Sequence, residues 1–340
     1  MSKFSIPYLA DVFSTLGQQL SFPGEDLIHI VQNECHYNAW FTPANTERAV
    51  KAIGGMLNKH DLLQWLGHYR LNNEHPKKVG LILAGNIPLV GFHDVLCVLA
   101  SGNNALIKAS SNDARLIIAV LKQLCLIEPA FGEQFSFAER LQNFDAVIAT
   151  GSNNTSRYFE YYFGKVPNII RKNRNSVAVL TGSETGEQLY ELGHDIFDYF
   201  GLGCRNVSKM YVPYGYDFTS FFEAIEPYHP IIHHHKYNNN YDYNKSIYLV
   251  NKDKHLDNGF LLLKEDTNMA SPLAVLFYEY YDDPDTLQKI LAEREDNIQC
   301  VVSNLDLDTG NQVVPFGQSQ QPKLWDYADG VDTMDFLTKL

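Results

Sequence analysis

The chain has 340 residues, 45% of them hydrophobic, 20% charged and 13% aromatic, an ordinary composition for a soluble globular protein. With 27 basic against 40 acidic residues the formal charge is −13, which argues against a general nucleic-acid coat, because a phosphate backbone recruits basic surface. No run reaches the ~18 apolar residues of a membrane-spanning helix, and Met1–Phe13 lacks a basic stretch leading an apolar one, so no secretory signal is expected.

In chain order, Met1–Phe13 reads as an amphipathic helix, with Tyr8, Leu9, Val12 and Phe13 among polar residues. Residues 1–70 read as helical throughout, and Asn72–Lys78, with Pro76, as a loop. Val79–Ala84 is then a short continuous apolar run, the pattern of a strand buried on both faces. Gly85-Asn86-Ile87-Pro88 follows, with Pro88 suited to the first turn of a helix running to Ala100. Ala105–Lys108 is a second strand, Leu116–Leu126 a helix, and Ala146–Thr150 a third strand meeting Gly151-Ser152 and a helical segment. Val177–Leu180 is another strand and Glu187–Phe200 a helix. Strands alternating with helices predict a parallel, doubly wound sheet. Beyond Cys204 strands are expected at Val207–Val212, Ser246–Val250, Phe260–Leu263, Leu273–Tyr278 and Gln299–Val302, with a domain boundary near residue 180.

Several positions invite chemistry. Asn86 follows a strand end, where open α/β sheets bind ligands, and offers an amide donor; a plain strand-to-helix turn is the simpler reading. Lys108 ends the next strand, where it suits a ribose 2′-phosphate or merely caps the strand. Gly151-Ser152 opens a helix and forms either an anion site or an ordinary serine cap. No G-x-G-x-x-G occurs: Asn206 stands where Gly201 and Gly203 would need a third glycine. From Arg157 to Arg174 five basic residues oppose one acid, a net +4 that a phosphorylated ligand such as coenzyme A or a dinucleotide could use.

The five cysteines, Cys35, Cys97, Cys125, Cys204 and Cys300, have no paired spacing, which predicts a reduced, cytoplasmic protein. No C-x-x-C occurs, so no metal site is expected. Cys204 differs from the others: Gly203 makes it accessible, and Arg205 would favour its thiolate, although an incidental loop cysteine is the alternative. The run from His233 to Tyr241 reads as a polar loop, and Asp282–Asp285 as a turn.

In this order the motifs resemble the aldehyde dehydrogenase superfamily, and within it the acyl-CoA reductases related to the bacterial luminescence fatty-acid reductase. Gly85-Asn86-Ile87-Pro88-Leu89 resembles the W-N-F-P-L turn, Leu106–Ser110 the L-K-P-S strand end, and Thr150-Gly151-Ser152 the T-G-S turn. Gly203-Cys204-Arg205 falls where the family has its nucleophile, and Phe316–Pro322 with Trp325–Thr333 resembles the ending of short acyl-CoA reductases. The resemblance spans residues 78–340. It implies an aldehyde dehydrogenase-like α/β fold: N-terminal helices (1–75), a Rossmann-type doubly wound cofactor domain (76–180) and an α/β catalytic domain (181–340).

It further implies NADPH or NADH as cofactor and a coenzyme A thioester as substrate. Cys204 would be the nucleophile, Asn86 an oxyanion donor, and Lys108, Gly151 and Ser152 the nucleotide contacts. Oxidising members keep a glutamate about 34 residues before the cysteine to activate water. Here Arg171–Ser176 offers no acid, which suits acyl-CoA reduction better than aldehyde oxidation. An oxidative aldehyde dehydrogenase and a catalytically silent nucleotide- or acyl-binding protein are the alternatives. Glu265 and Asp266 are candidates for a ribose-binding acid. The short chain leaves a homo-oligomer or an acyl-supplying partner enzyme open.

Overall fold

The computed structural model describes residues 4–71 and 74–340; Met1–Lys3 of the expected first helix and Asn72 and Asn73 of the expected loop lie outside the described residues. The chain divides into two compact units, residues 1–173 with 322–340, and residues 174–321.

The first unit opens with four helices: α1 (Ile6–Ser21), α2 (Glu25–Asn33), α3 (Pro43–Met56) and α4 (Lys59–Gly67). Their starts follow from local chemistry. Ser5, Thr42 and Asn58 accept the Tyr8, Asn45 and Asp61 amide hydrogens, capping α1, α3 and α4. The stripe Leu9, Val12, Phe13, Leu16 and Leu20 buries one face of α1. α1 and α3 meet so closely that a Cβ on Gly17 would lie 2.9 Å from the Gly54 carbonyl oxygen.

Next come β1 (Lys78–Ile82), α5 (Phe92–Ala100), β2 (Asn104–Lys108), α6 (Ala114–Ile127), β3 (Phe135–Phe137), β4 (Ala146–Thr150), α7 (Asn153–Phe163) and β5 (Asn168–Arg171). The strands form one parallel sheet in the order β3-β2-β1-β4-β5, doubly wound as expected. β3 and β5 are short edge strands that apolar patterning did not reveal. α5 starts at Phe92 rather than Pro88, because Leu89 takes a left-handed φ of 58° that no α-helix accommodates.

The second unit contains β6 (Asn175–Val179), α8 (Gly186–Phe197), β7 (Val207–Pro213), α9 (Thr219–Ile225), α10 (His235–Asn251), β8 (Leu256–Asp257), β9 (Leu262–Glu265), β10 (Val275–Tyr281), α11 (Pro284–Glu293), β11 (Ile298–Val302) and β12 (Gln312–Val314). Its sheet runs β12-β11-β6-β7-β10-β9-β8, parallel except for the β8–β9 pair. α8 and α9 cover one face through Leu189, Leu192, Ile196, Phe221 and Ile225. Leu287 and Leu291 of α11 cover the other, against Val177, Val179 and Val301.

Four expectations are corrected here. The boundary falls at 173/174 rather than 180, since β6 is hydrogen-bonded between β11 and β7 and belongs to the second sheet. Residues 322–340, expected with the cysteine domain, pack on the first unit instead. Ser246–Val250 is the end of helix α10, not a strand, and the segment read as a polar loop from His233 feeds that helix. Its buried residues Tyr237, Tyr241, Asn244 and Tyr248 keep helical spacing, but the asparagines between them hide the period, and Leu249 and Val250 face solvent. Among the described residues, no helix is long and apolar enough to cross a membrane.

The returning segment, which ends in α12 (Thr333–Thr338), is held by polar contacts. The Trp65 indole N–H donates to the Tyr327 hydroxyl (2.6 Å), Tyr69 donates to Asp332 (2.8 Å), and the Asn103 amide donates to the Leu337 carbonyl (3.1 Å). Arg171 at the end of β5 is buried, ion-paired with Asp94 of α5, and donates to the Thr333 hydroxyl at 2.9 Å. Asp94→Ala would leave a buried guanidinium unpaired and should destabilise the first unit by about 3–5 kcal/mol in denaturant titration.

Candidate active site

The first unit gathers four of the expected site residues along the carboxyl edge of three adjacent strands. β1 leads into the turn that carries Asn86, β2 ends at Lys108, and β4 leads to Gly151 and Ser152. In the Asn86 turn, Gly85 lies against Ser110, so that any Cβ there would collide with the serine side chain. Leu89, left-handed, donates its N–H to Asp113 Oδ2 at 2.9 Å. Burial pushes the Asp113 carboxyl well above the usual carboxylate range, against the Leu89 N–H that favours its charge, and this buried acid anchors the turn. Asn86 and Lys108 are exposed above this anchor. Ser152 caps α7, accepting the Thr155 N–H at 3.3 Å, and the Gly151 backbone lies tight against Thr155 and the Phe159 ring.

The +4 window separates into individual tasks. Arg171 is spent on Asp94 and Thr333, Lys172 pairs with Glu160 at 2.9 Å, and Arg174 donates to the Ile298 carbonyl at 3.2 Å. Arg157 and Lys165 remain exposed. The window is therefore partly structural and offers a ligand less charge than its count suggests.

Cys204 lies in the second unit, in a turn just before β7, and is partly exposed. The chain reaches it through a strained segment: Tyr199 (φ 54°, ψ 26°) and Phe200 (φ 60°, ψ 21°) are left-handed, followed by Gly201 at φ 76°. Left-handed non-glycine residues cost roughly 1–2 kcal/mol each, so the surroundings must impose them.

Three arms do so. Asn206, buried, donates its amide hydrogens to the carbonyls of Asp195 (3.0 Å) and Asp198 (2.9 Å) at the end of α8, while its Oδ1 accepts the Gly203 N–H at 2.8 Å. Arg205, also buried, donates to the Ser319 carbonyl and to Gln312, both at 2.5 Å. Its guanidinium thus anchors the turn, a task different from the thiolate-stabilising one expected of it. Asp195 completes this arm by accepting the N–H groups of Gly317 (2.7 Å) and Ser319 (2.9 Å), which explains the Phe316–Pro322 motif as a lid of backbone folded over a buried acid. The third arm is Ser176 on β6, whose hydroxyl donates to the Cys204 carbonyl at 3.1 Å.

Sequence reasoning passed over Ser176 and Asp195, and noticed Asn206 only as a missing glycine. Of the two acids considered for ribose, Asp266 is committed to Asn268 and Lys264 within its own loop, whereas Glu265 is exposed at the end of β9. Beside the turn, a cavity of about 70 Å³ is lined by Phe197, Phe200, Gly203, Tyr237, Leu261 and Leu273 among others.

Two measurements test the brace. Asn206→Asp keeps the shape but turns carboxylate oxygens towards carbonyls, and should cost about 3 kcal/mol or more in denaturant titration. Burial pushes Asp195 up to about 6, against the two backbone N–H groups that favour its charge. Between pH 4 and 6 the unfolded chain releases this proton while the folded one keeps it, so the wild type loses stability as pH rises. The stability of Asp195→Asn relative to wild type should therefore improve by about 3 kcal/mol from pH 4 to 7.

Compared with known proteins, the chain matches no family model and no curated protein sequence. Solved structures do match. Aldehyde dehydrogenase 21 from Physcomitrella patens, in complex with the reaction product succinate, superposes with TM-score 0.69 at 12% identity, covering 99% of this chain and 85% of that one. An NAD-dependent benzaldehyde dehydrogenase from Corynebacterium glutamicum gives 0.67 at 12% identity, over 94% and 84%. The Delta-pyrroline-5-carboxylate dehydrogenase from Mycobacterium tuberculosis gives 0.64 at 13% identity, over 99% and 78%. At such identities the likeness shows the architecture alone: this chain has the aldehyde dehydrogenase fold.

Proposed function

We propose that the protein is an NAD(P)H-dependent acyl-CoA reductase with Cys204 as its nucleophile. The observation that carries this reading is a partly exposed cysteine on a turn that three buried side chains brace, reached through a left-handed segment, in a chain with the aldehyde dehydrogenase fold. Strain held by such a brace is characteristic of sites that must present one group in one orientation.

In this mechanism the Cys204 thiolate attacks the thioester carbonyl, forming a C–S bond. The Cys204 main-chain N–H would meet the oxyanion, and the family resemblance assigns the Asn86 side-chain amide as the second donor. Collapse of the oxyanion expels the coenzyme A thiolate, which takes up a proton, and leaves an acyl group on Cys204. A nicotinamide, when bound, would supply the hydride equivalent for this acyl thioester; Cys204 would then leave as its thiolate, with the C–S bond broken, and release the aldehyde. The residues available suit a phosphate-bearing nucleotide: Lys108 is an exposed cation at a strand end, and Gly151-Ser152 opens the amino terminus of α7. Lys108 would contact the adenosine ribose and Gly151-Ser152 the pyrophosphate.

The direction rests on what is missing between residues 171 and 176. That stretch contains no carboxylate, and its Arg171 is buried in a pair with Asp94, so it supplies no base to activate water against the acyl-cysteine. The oxidative alternative needs such a base and predicts free acid from aldehyde without coenzyme A.

Cys204→Ala should lower acyl-CoA-dependent NADPH oxidation by about a thousandfold or more. Undiminished turnover in that variant would sink the mechanism. Acid formation from aldehyde and NAD(P)+ without coenzyme A, at a rate matching the reductive one, would select the oxidative alternative.

A further inference from the structure

We propose that Ser176 is a positioning residue for Cys204, holding the orientation of the Cys204–Arg205 peptide and with it the reactivity of the thiol. The inference rests on Cys204 being the nucleophile and extends Ser176 from a brace of the turn to a control on the thiol.

Gly203–Asn206 is a reverse turn, closed by the Asn206 N–H on the Gly203 carbonyl at 3.1 Å. Cys204 and Arg205 are its central residues, and neither has a positive φ. The central peptide of such a turn can flip, which converts a type I into a type II arrangement and drives the third residue to positive φ. Here that peptide carries the Cys204 carbonyl. Its carbonyl carbon is bonded directly to the Cys204 Cα, which makes it one of the two peptide dipoles that flank the residue bearing the sulfur.

The Ser176 hydroxyl grips that carbonyl oxygen. Ser176 is fully buried, and its Oγ lies 3.1 Å from the Cys204 oxygen and 3.1 Å from Cys300 Sγ. A carbonyl can only accept, so the single hydroxyl hydrogen goes to Cys204 and the Cys300 thiol donates to the serine oxygen. A flipped peptide would take the carbonyl acceptor from the hydroxyl and leave it, in a closed interior, only the weakly accepting Cys300 sulfur. Because a trans peptide opposes its C=O and N–H, holding the oxygen towards β6 aims the Arg205 N–H to the other side of the turn.

The sheet is adapted to this contact. At Ser176 the register of β6 slips by one residue against β7, where Ser176 pairs with Val207 but Val177 pairs with Lys209. Against β11, Asn175 pairs with Ile298 while Val177 pairs with Val301. Irregularities of this kind re-aim a side chain locally and recur beside functional sites.

The test is site-resolved alkylation of Cys204 by iodoacetamide across pH 5–10, with the adduct located by peptide mass so that Cys35 and Cys125 do not contribute. Ser176→Ala should lower the Cys204 rate at neutral pH by about tenfold and alter its pH profile. Ser176→Cys, which fills the same space with a weaker donor, should also fall and serves if the alanine variant does not fold. Cys300→Ser, which keeps a donor behind Ser176, should stay within about twofold of wild type. The proposal is overturned if a folded Ser176→Ala or Ser176→Cys protein has the wild-type profile, or if Cys300→Ser loses as much as either. Alkylation needs neither acyl-CoA nor nucleotide. A protein that passes this test but shows no acyl-CoA-dependent turnover keeps the role of Ser176 and loses the proposed reaction.

Discussion

One primary amide carries the constraint on which the cysteine turn depends. The Asn206 side chain offers two donors and an acceptor in a single plane, and it uses both kinds: carbonyls at the end of α8 on one side, the Gly203 N–H on the other. A helix end leaves its last carbonyls without partners, and the usual remedy is a glycine just beyond. Here a residue further along the chain does that work, and the segment between is forced left-handed for three residues. The same contacts that finish the helix thereby set the height and direction at which Cys204 enters β7.

The rest of the second unit is organised around this point. Arg205 carries the turn to Ser319, Asp195 holds the backbone on either side of Gln318, and Ser176 ties the turn to the neighbouring strand. Buried polar groups connected in this way specify one arrangement, because each partner lost leaves another unsatisfied. In the first unit a buried Asp113 and a glycine that admits no side chain do the equivalent for the Asn86 turn. Both candidate loops are thus held from below by groups that are themselves buried, while the candidate reactive groups are exposed or partly so.

How much of this could be read in advance depended on the range of the forces involved. β1, β2 and β4 are short apolar runs bounded by glycine or polar turns, and their strand character is local, so they were legible. The ordering of the sheet followed from the alternation with helices. β6 was legible as a strand but not as a member of the second sheet, because its partner β11 lies more than a hundred residues away. α10 was missed because tyrosines and asparagines fill the face that leucines usually mark. Cys204 stood out through its glycine neighbours, whereas the contacts of Arg205 with Ser319 and Gln312, which make it an anchor of the turn, span more than a hundred residues and left no local signal. Ser176 carried no signal at all: a serine opening a strand acquires meaning only from Cys204 and Cys300.

The return of residues 322–340 to the first unit has a consequence for biogenesis. The second unit is continuous in sequence and inserted within a first unit whose last pieces are translated after it. When Arg171 leaves the ribosome its Asp94 partner is already present, but Thr333 is not, and neither is the Tyr327 hydroxyl that Trp65 requires. The first unit must therefore wait, with buried polar groups unsatisfied, until the inserted unit has been made. Domains that form as the chain emerges favour contiguous ones. The inserted unit, whose sheet is contiguous in sequence, separates the two parts of the outer unit by the whole of residues 174–321, so closing the outer unit depends on a segment made after the inserted one.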